Sequence, residues 1–323
     1  MPTPASLINA ALAAEVYKAQ PEGLYEPIRY TLLGGGKRIR PALMLTAAAI
    51  YGAEPEQVMP AAIALETYHN HTLLHDDLMD RADVRHAKPT VWKRWDANTA
   101  ILSGDTMLLL ALRKLTECRC ERWDELHRLF LDTFIEVCEG QQYDMNLERR
   151  TADDVSIGEY LEMIRLKTSV LVACAAKAGG LIAGAADDEC DLLYAFAEKI
   201  GLAFQLQDDV LDVWGDPAVF GKANGGDIAC GKKTYPLLTA LSLAPSDERA
   251  ELLRLLRPET DSEAARIRRV TAIYDRLGVR ALCEEAVRAY YDEARALYDR
   301  LPLSEAAKRP LWLWAERLMG REK

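Results

Sequence analysis

The chain has 323 residues, half of them hydrophobic, and a formal charge of -10 at pH 7, enough length and apolar content to bury a large core. With no strongly basic half, that charge argues against a nucleic-acid ligand, although clustered Lys and Arg can still hold a phosphate locally. Seven scattered cysteines, Cys118, Cys120, Cys138, Cys174, Cys190, Cys230 and Cys283, lack Cys-x-x-Cys pairing and read as reduced residues of a cytoplasmic protein. The opening MPTPASLINAALAAEVYKAQPEG has neither the basic start nor the apolar run of a signal peptide. No stretch approaches the uninterrupted apolar length of a membrane span, so none is expected.

In chain order, the first pointed feature is Leu33-Gly34-Gly35-Gly36-Lys37-Arg38-Ile39-Arg40-Pro41. It sets a run of cations beside glycines whose backbone N–H groups can approach an anion. It lacks the spacing and preceding strand of a nucleotide loop, and so suggests a diphosphate without a nucleoside. Apolar residues then recur at three- and four-residue spacing through 41–50, 58–82, 98–116, 123–146, 157–183, 187–214, 234–243, 263–275, 278–300 and 304–319, while alternating strand patterns are missing. The expectation is an all-α chain of about ten helices in one bundle-like domain, residues 1–323, with a ligand cavity in its core. Ser156-x-x-Glu159 reads as a capping box opening the 157–183 helix, and Gly215 with Pro217 stops the 187–214 helix. Segments 52–60, 215–236, 244–248 and 257–262 read as loops. The 215–236 segment is glycine-rich and carries Lys222, Lys232 and Lys233, as a lid over phosphates would.

Two of these apolar helices carry the same acidic signature, Asp76-Asp77-Leu-Met-Asp80 and Asp208-Asp209-Val-Leu-Asp212. Residues four apart share a helix face, so Asp76 projects with Asp80 and Asp208 with Asp212. His69, Thr72 and Asp83 extend the first stripe; Gly201, Gln205 and Asp216 extend the second. Carboxylates on one face repel, and burying them among Leu, Met and Phe costs several kcal/mol per ion without a counter-charge. Asp77 has Arg81 one turn on, but neither stripe holds a Lys or Arg. All-oxygen donors suit a hard divalent ion, and Mg²⁺ takes one or two carboxylates and completes its shell with water and substrate phosphates. A solvated acidic face would explain one such cluster, but hardly an identical pair in apolar settings. Zinc at His71 and His75, four apart, lacks the further ligands it needs.

With GGGKRIRP, HNHTLLHDDLMDRADVRHAKPT, SGDT, EGQQYD, RLKTS, AFQLQDDVLD and GKANGGDIACGKKTYP following one another, the sequence resembles the trans-isoprenyl diphosphate synthases (polyprenyl synthetases), short-chain farnesyl or geranylgeranyl type. The C-terminal part matches only as generic helices. The resemblance implies an isoprenoid-synthase helical bundle around a central apolar cavity, working as a homodimer. It implies a Mg²⁺-dependent condensation of isopentenyl diphosphate with dimethylallyl, geranyl or farnesyl diphosphate. Asp76 and Asp80 resemble the first aspartate-rich motif and Asp208, Asp209 and Asp212 the second, together holding about three Mg²⁺ ions on the allylic diphosphate. Lys37, Arg40 and His69 resemble the grip on isopentenyl diphosphate. Arg85, Lys167, Thr168, Gln205, Lys222 and Lys232 resemble the allylic-site set. Asp76, Asp80, Lys167, Asp208 and Lys222 carry the catalytic assignment.

His86-Ala87 departs from the family's Arg-Gly, and His86 is a weaker, titratable cation for isopentenyl diphosphate. One helical turn of about 5.4 Å is close to one isoprene unit. Tyr68, His71 and Thr72, upstream of Asp76, are accordingly expected to set product length, with Tyr68 and His71 as the stop. A longer-chain synthase, a class I terpene cyclase and a silent partner subunit are the alternatives. A second DDxxD motif and the separate Lys37/Arg40 site disfavour the latter two.

Overall fold

A computed structural model describes residues 3–216, 224–257 and 261–320. Helices follow one another from Pro4–Ala14 through Glu22–Leu32, Ile39–Ala49, Pro55–Met79, Val91–Arg94, Ala97–Leu115, Trp123–Arg149, Ile157–Ile164, Val170–Ala183 and Asp187–Trp214. Gly226–Cys230, Tyr235–Leu243, Ser246–Leu255, Glu263–Arg276, Val279–Asp299 and Glu305–Met319 follow among the described residues. The architecture is all-α, as the periodicity implied.

Several elements depart from the sequence expectation. Pro4–Ala14 and Glu22–Leu32 precede the first expected helix; Thr3 caps the former by accepting from Ser6 N, with Pro4 at its first position. The expected 52–60 loop ends early, because Glu54 and Gln57 form a capping box that starts a helix at Pro55. Ser246–Leu255 takes over most of the 244–248 loop, and Gly226–Cys230 interrupts the 215–236 loop. Val84–Arg85 and Lys88–Pro89 pair as an antiparallel hairpin too short to show alternation. The 157–183 helix does start at the Ser156/Glu159 capping box, but a π-helical turn, Arg165–Ser169, breaks it.

The chain divides into two compact units. The first comprises Met1–Leu129, Ala175–Asp191 and Glu305–Leu311. Its core is built on Pro55–Met79, Ala97–Leu115 and Ile39–Ala49, which bury Leu43, Met44, Leu65, Tyr68, Met107 and Ala111. Small residues also let Gly179, on Val170–Ala183, approach Ile39–Ala49: a methyl on it would lie 2.9 Å from Ala47 Cβ. Arg38 is buried here, its guanidinium 2.6 Å from Glu66 Oε1 and from the Leu32 carbonyl, and 2.9 Å from Asn9 Oδ1. The second unit comprises Phe130–Cys174, Leu192–Ser304 and Trp312–Lys323. One of its clusters joins Val210, Leu237, Leu252, Val270 and Tyr274. Another joins Leu147, Tyr160, Ile164, Leu206 and Leu238.

Among the described residues one stretch, Ile157–Ala183, is long and apolar enough to cross a membrane, with a mean hydropathy of 1.4 over its most apolar window. That window is 78% buried by the protein's own side chains, as a core helix is.

Candidate active site

In the first unit the aspartate-rich segment lies where Pro55–Met79 ends, with Asp80 as its C-cap. Arg85, on the first hairpin strand, donates from Nε to Asp77 Oδ1 at 2.8 Å and places another guanidinium nitrogen 3.6 Å from Asp76 Oδ2. The expected partner of Asp77, Arg81, is exposed with φ +53°. The helix stops at Met79, so four-residue spacing no longer brings Arg81 beside Asp77. Burial pushes the Asp77 carboxyl above its usual range; Arg85 opposes this while Asp76 and Asp80 reinforce it. Asp77 therefore fixes the arginine, and Asp76 and Asp80 are the pair on a common face.

The cations of the glycine loop separate into different roles. Arg38 is consumed by Glu66, Asn9 and Leu32. Lys37 is exposed. Arg40 NH1 lies 3.0 Å from His69 Nε2. Burial, then the Arg40 charge, holds His69 well below its usual value, so the ring is neutral and accepts at Nε2. Burial also lowers Arg40 to about 10, and its Nε has no hydrogen-bond partner among the described residues. A buried guanidinium N–H without an acceptor fits a site made for an anion. Arg85 and His86 share a pocket with Gly34, Gly35, Asn70 and Lys88, whereas Lys37, Arg40 and His69 lie outside that lining. His86 and Ala87 form the hairpin turn with φ +51° and +59°.

The three residues expected to limit product length pack along the same helix. Tyr68 is buried, its ring 5.5 Å from that of His71. His71 Nδ1 lies 2.9 Å from the Gly104 carbonyl, and Thr72 Oγ1 donates to the His69 carbonyl at 2.8 Å. The His75 ring meets that of His71 at 4.6 Å, and Gly104 makes room for it, since a methyl there would overlap the ring. His71 and His75 direct ring nitrogens to the carbonyls of Gly104 and Ile101, which suits packing rather than zinc.

The second unit brings together most of the remaining expected residues. A cavity of ≈ 270 Å³ is lined by Lys167, Thr168, Gln205, Asp208, Asp209, Asp212 and Lys232. Lys233 of the lysine-bearing segment also lines it, and so do Asp144, Glu148, Tyr160 and Asp227, which were not anticipated. Asp144 ends the EGQQYD segment and takes Lys167 Nζ at 2.6 Å; nothing in its spacing alone marks that partner. Asp209 is buried and engaged: Tyr160 Oη donates to Oδ2, the Tyr235 N–H does so at 3.2 Å, and Gln205 Nε2 reaches Oδ1 at 3.5 Å. Burial pushes its carboxyl up to about 7. Asp212 Oδ2 accepts from the Asp227 N–H at 3.0 Å, and Lys233 Nζ donates to the Glu148 carbonyl at 2.8 Å. Lys222 lies outside the described residues.

The lining holds six carboxylates, Asp144, Glu148, Asp208, Asp209, Asp212 and Asp227, against three lysines. An isolated diphosphate would be repelled by that excess, so the donor set fits one or more hard cations that a diphosphate then bridges. Asp208 and Asp212 lie four apart in this lining, and between them Asp209 is engaged by Tyr160, Tyr235 and Gln205.

Residues 21–274 match the family model of the polyprenyl synthetases. The chain is 42% identical over 237 residues to the geranylgeranyl diphosphate synthase of Methanosarcina mazei, covering 73% of this chain and 72% of that one. A crystal structure of a geranylgeranyl pyrophosphate synthase is similar at 42% identity over the whole of both chains, with a TM-score of 0.93. The polyprenyl synthase of Caulobacter crescentus, complexed with calcium and isoprenyl diphosphate, is 26% identical over 98% of this chain and 94% of its own, with a TM-score of 0.86.

Proposed function

We propose a residue-level reaction for this chain, which belongs to the polyprenyl synthetase family and is a short-chain trans-prenyltransferase. Isopentenyl diphosphate is condensed head-to-tail with an allylic diphosphate to give farnesyl or geranylgeranyl diphosphate. The observation that carries the site assignment is the excess of carboxylates over lysines around Asp208 and Asp212. Divalent ions, Mg²⁺ by donor chemistry and about three by family resemblance, would neutralise charge on the leaving diphosphate.

The chain's own groups do the rest. Lys167, held by Asp144, and Lys232 place positive charge where the diphosphate leaves, stabilising the transition state by preorganisation. Within the first unit, Arg85 is anchored on Asp77 and sets its guanidinium beside Asp76. Arg40 offers its unpartnered Nε–H to the diphosphate of isopentenyl diphosphate, and neutral His69 holds that guanidinium in place. Lys37 adds cationic reach to the same substrate, while His86 lines the pocket that holds Arg85. The allylic C–O bond breaks, the double bond of isopentenyl diphosphate attacks the cation, and the released diphosphate takes the proton then lost. The apolar cavity that the family resemblance implies would keep water from the cation. No side chain needs to act as a nucleophile.

Homodimerisation and a single working domain over residues 1–323 in the cytoplasm belong to the same reading. Leu102 and Leu109 on Ala97–Leu115 are each more than half exposed, as apolar residues of a subunit contact are in an isolated chain. The test is to incubate purified protein with isopentenyl diphosphate, Mg²⁺ and each allylic primer, and to size the products. Products of fifteen or twenty carbons support the reading; failure to elongate any primer overturns it.

A further inference from the structure

Lys167 and Thr168 sit on the π-helical turn Arg165–Ser169, closed by the Val170 N–H donating to the Arg165 carbonyl five residues back. Such a turn is less stable than the α-helix on either side, so it persists only where its surroundings impose it. Two neighbouring helices do so here, each at a glycine. On Trp123–Arg149, a methyl added to Gly140 would overlap Lys167 N and lie 2.7 Å from both Lys167 Cα and the Leu166 carbonyl carbon. On Asp187–Trp214, a methyl on Gly201 would lie 2.9 Å from Cα, Cβ and Oγ of Ser169.

Each glycine has a polar companion four residues on. Asp144 accepts from Lys167 Nζ at 2.6 Å, and Gln205 Oε1 accepts from Thr168 Oγ1 at 3.5 Å. Residues four apart share a face, so each helix holds the turn twice, by backbone contact and by a side-chain hydrogen bond. Ser169 Oγ is buried with no hydrogen-bond partner among the described residues. Packing, not hydrogen bonding, therefore seats Ser169 itself.

We infer that Gly140 and Gly201 are positioning residues, which seat the π turn so that Lys167 and Thr168 are held toward the diphosphate cavity. Neither glycine lines the cavity; each acts through the turn. The inference rests on the prenyl-transfer reading for its kinetic readout.

Its test is steady-state kinetics of the full chain with Gly140→Ala, varying each substrate against saturation of the other. The KM for the allylic diphosphate should rise at least tenfold and kcat should fall, while the KM for isopentenyl diphosphate stays within about twofold. Gly201→Ala should act in the same direction. Adding Ser169→Gly to it removes two of the three atoms met and should recover most of the loss. Unchanged constants, equal rises in both KM values, or no recovery in the double variant would overturn the inference. If Gly140→Ala does not fold, the Gly201/Ser169 pair decides. Should the unaltered chain transfer no prenyl group, the functional reading falls. The seat is then judged by calorimetry with inorganic diphosphate and Mg²⁺, where Gly140→Ala should bind at least tenfold more weakly and equal binding overturns it.

Discussion

His71 Nδ1 lies 2.9 Å from the carbonyl oxygen of Gly104, joining the helix that carries the first aspartate-rich motif to its neighbour. Burial, then the adjacent His75, lowers His71 from 6.5 to about 4. At neutral pH the ring is uncharged in both folded and unfolded chains and makes no pH-dependent contribution. Below pH 6.5 the unfolded chain takes up a proton that the fold refuses, so stability falls as pH drops toward 4. The loss should reach roughly 2 kcal/mol at pH 5. Thermal melts of wild type and His71→Phe at pH 7 and pH 5 check this: the wild-type decrease should be larger. Equal decreases would show that His71 is not the responsible group.

Product length gives a second expectation from the same place. Tyr68 and His71 are both buried, and removing two rings leaves a cavity that costs several kcal/mol. If they also form the floor beneath the growing chain, Tyr68→Ala with His71→Ala should lengthen the product by at least one isoprene unit. Chromatography of products made below the variant's melting temperature decides it, and wild-type length would place the floor elsewhere.

Much of this was legible because helical periodicity and acidic spacing are local properties. Asp76/Asp80 and Asp208/Asp212 share faces by geometry alone, and Lys167, Thr168, Gln205 and Lys232 converge with the second motif in one cavity. What was not legible depends on where elements stop or meet. Arg81 misses Asp77 because the helix ends at Met79, and Arg85 reaches it from a hairpin of two-residue strands. Arg38 and Arg40 look equivalent in sequence until the fold buries one against Glu66. RLKTS reads as ordinary helix, and its local spacing does not show that it packs as a π turn against Gly140 and Gly201.

The two arginines of the glycine loop should accordingly fail differently. Arg38→Ala leaves Glu66 as an unpaired buried charge and should cost about 3–5 kcal/mol, with the KM for isopentenyl diphosphate unchanged in the protein that remains folded. Arg40→Ala should raise that KM at least tenfold with a smaller loss in melting temperature. Matching behaviour of the two variants would remove the distinction.

Ala87 occupies a left-handed conformation, φ +59°, that costs a non-glycine residue about 1 kcal/mol. Ala87→Gly should therefore leave global stability equal or slightly higher and tighten the hairpin that carries Arg85 and His86. Hydrogen exchange at residues 84–89 reads this directly: slower exchange is expected, and faster exchange would refute the strain assignment.

The most direct test of the proposed role of the two aspartate-rich motifs is single-turnover prenyl transfer by Asp208→Ala and Asp76→Ala, each beside wild type across a Mg²⁺ titration. The account predicts no turnover of wild type after chelation, and at least a hundredfold loss in each variant, equivalent to about 3 kcal/mol or more of lost stabilisation. Near-normal turnover in either variant at saturating Mg²⁺ would contradict it.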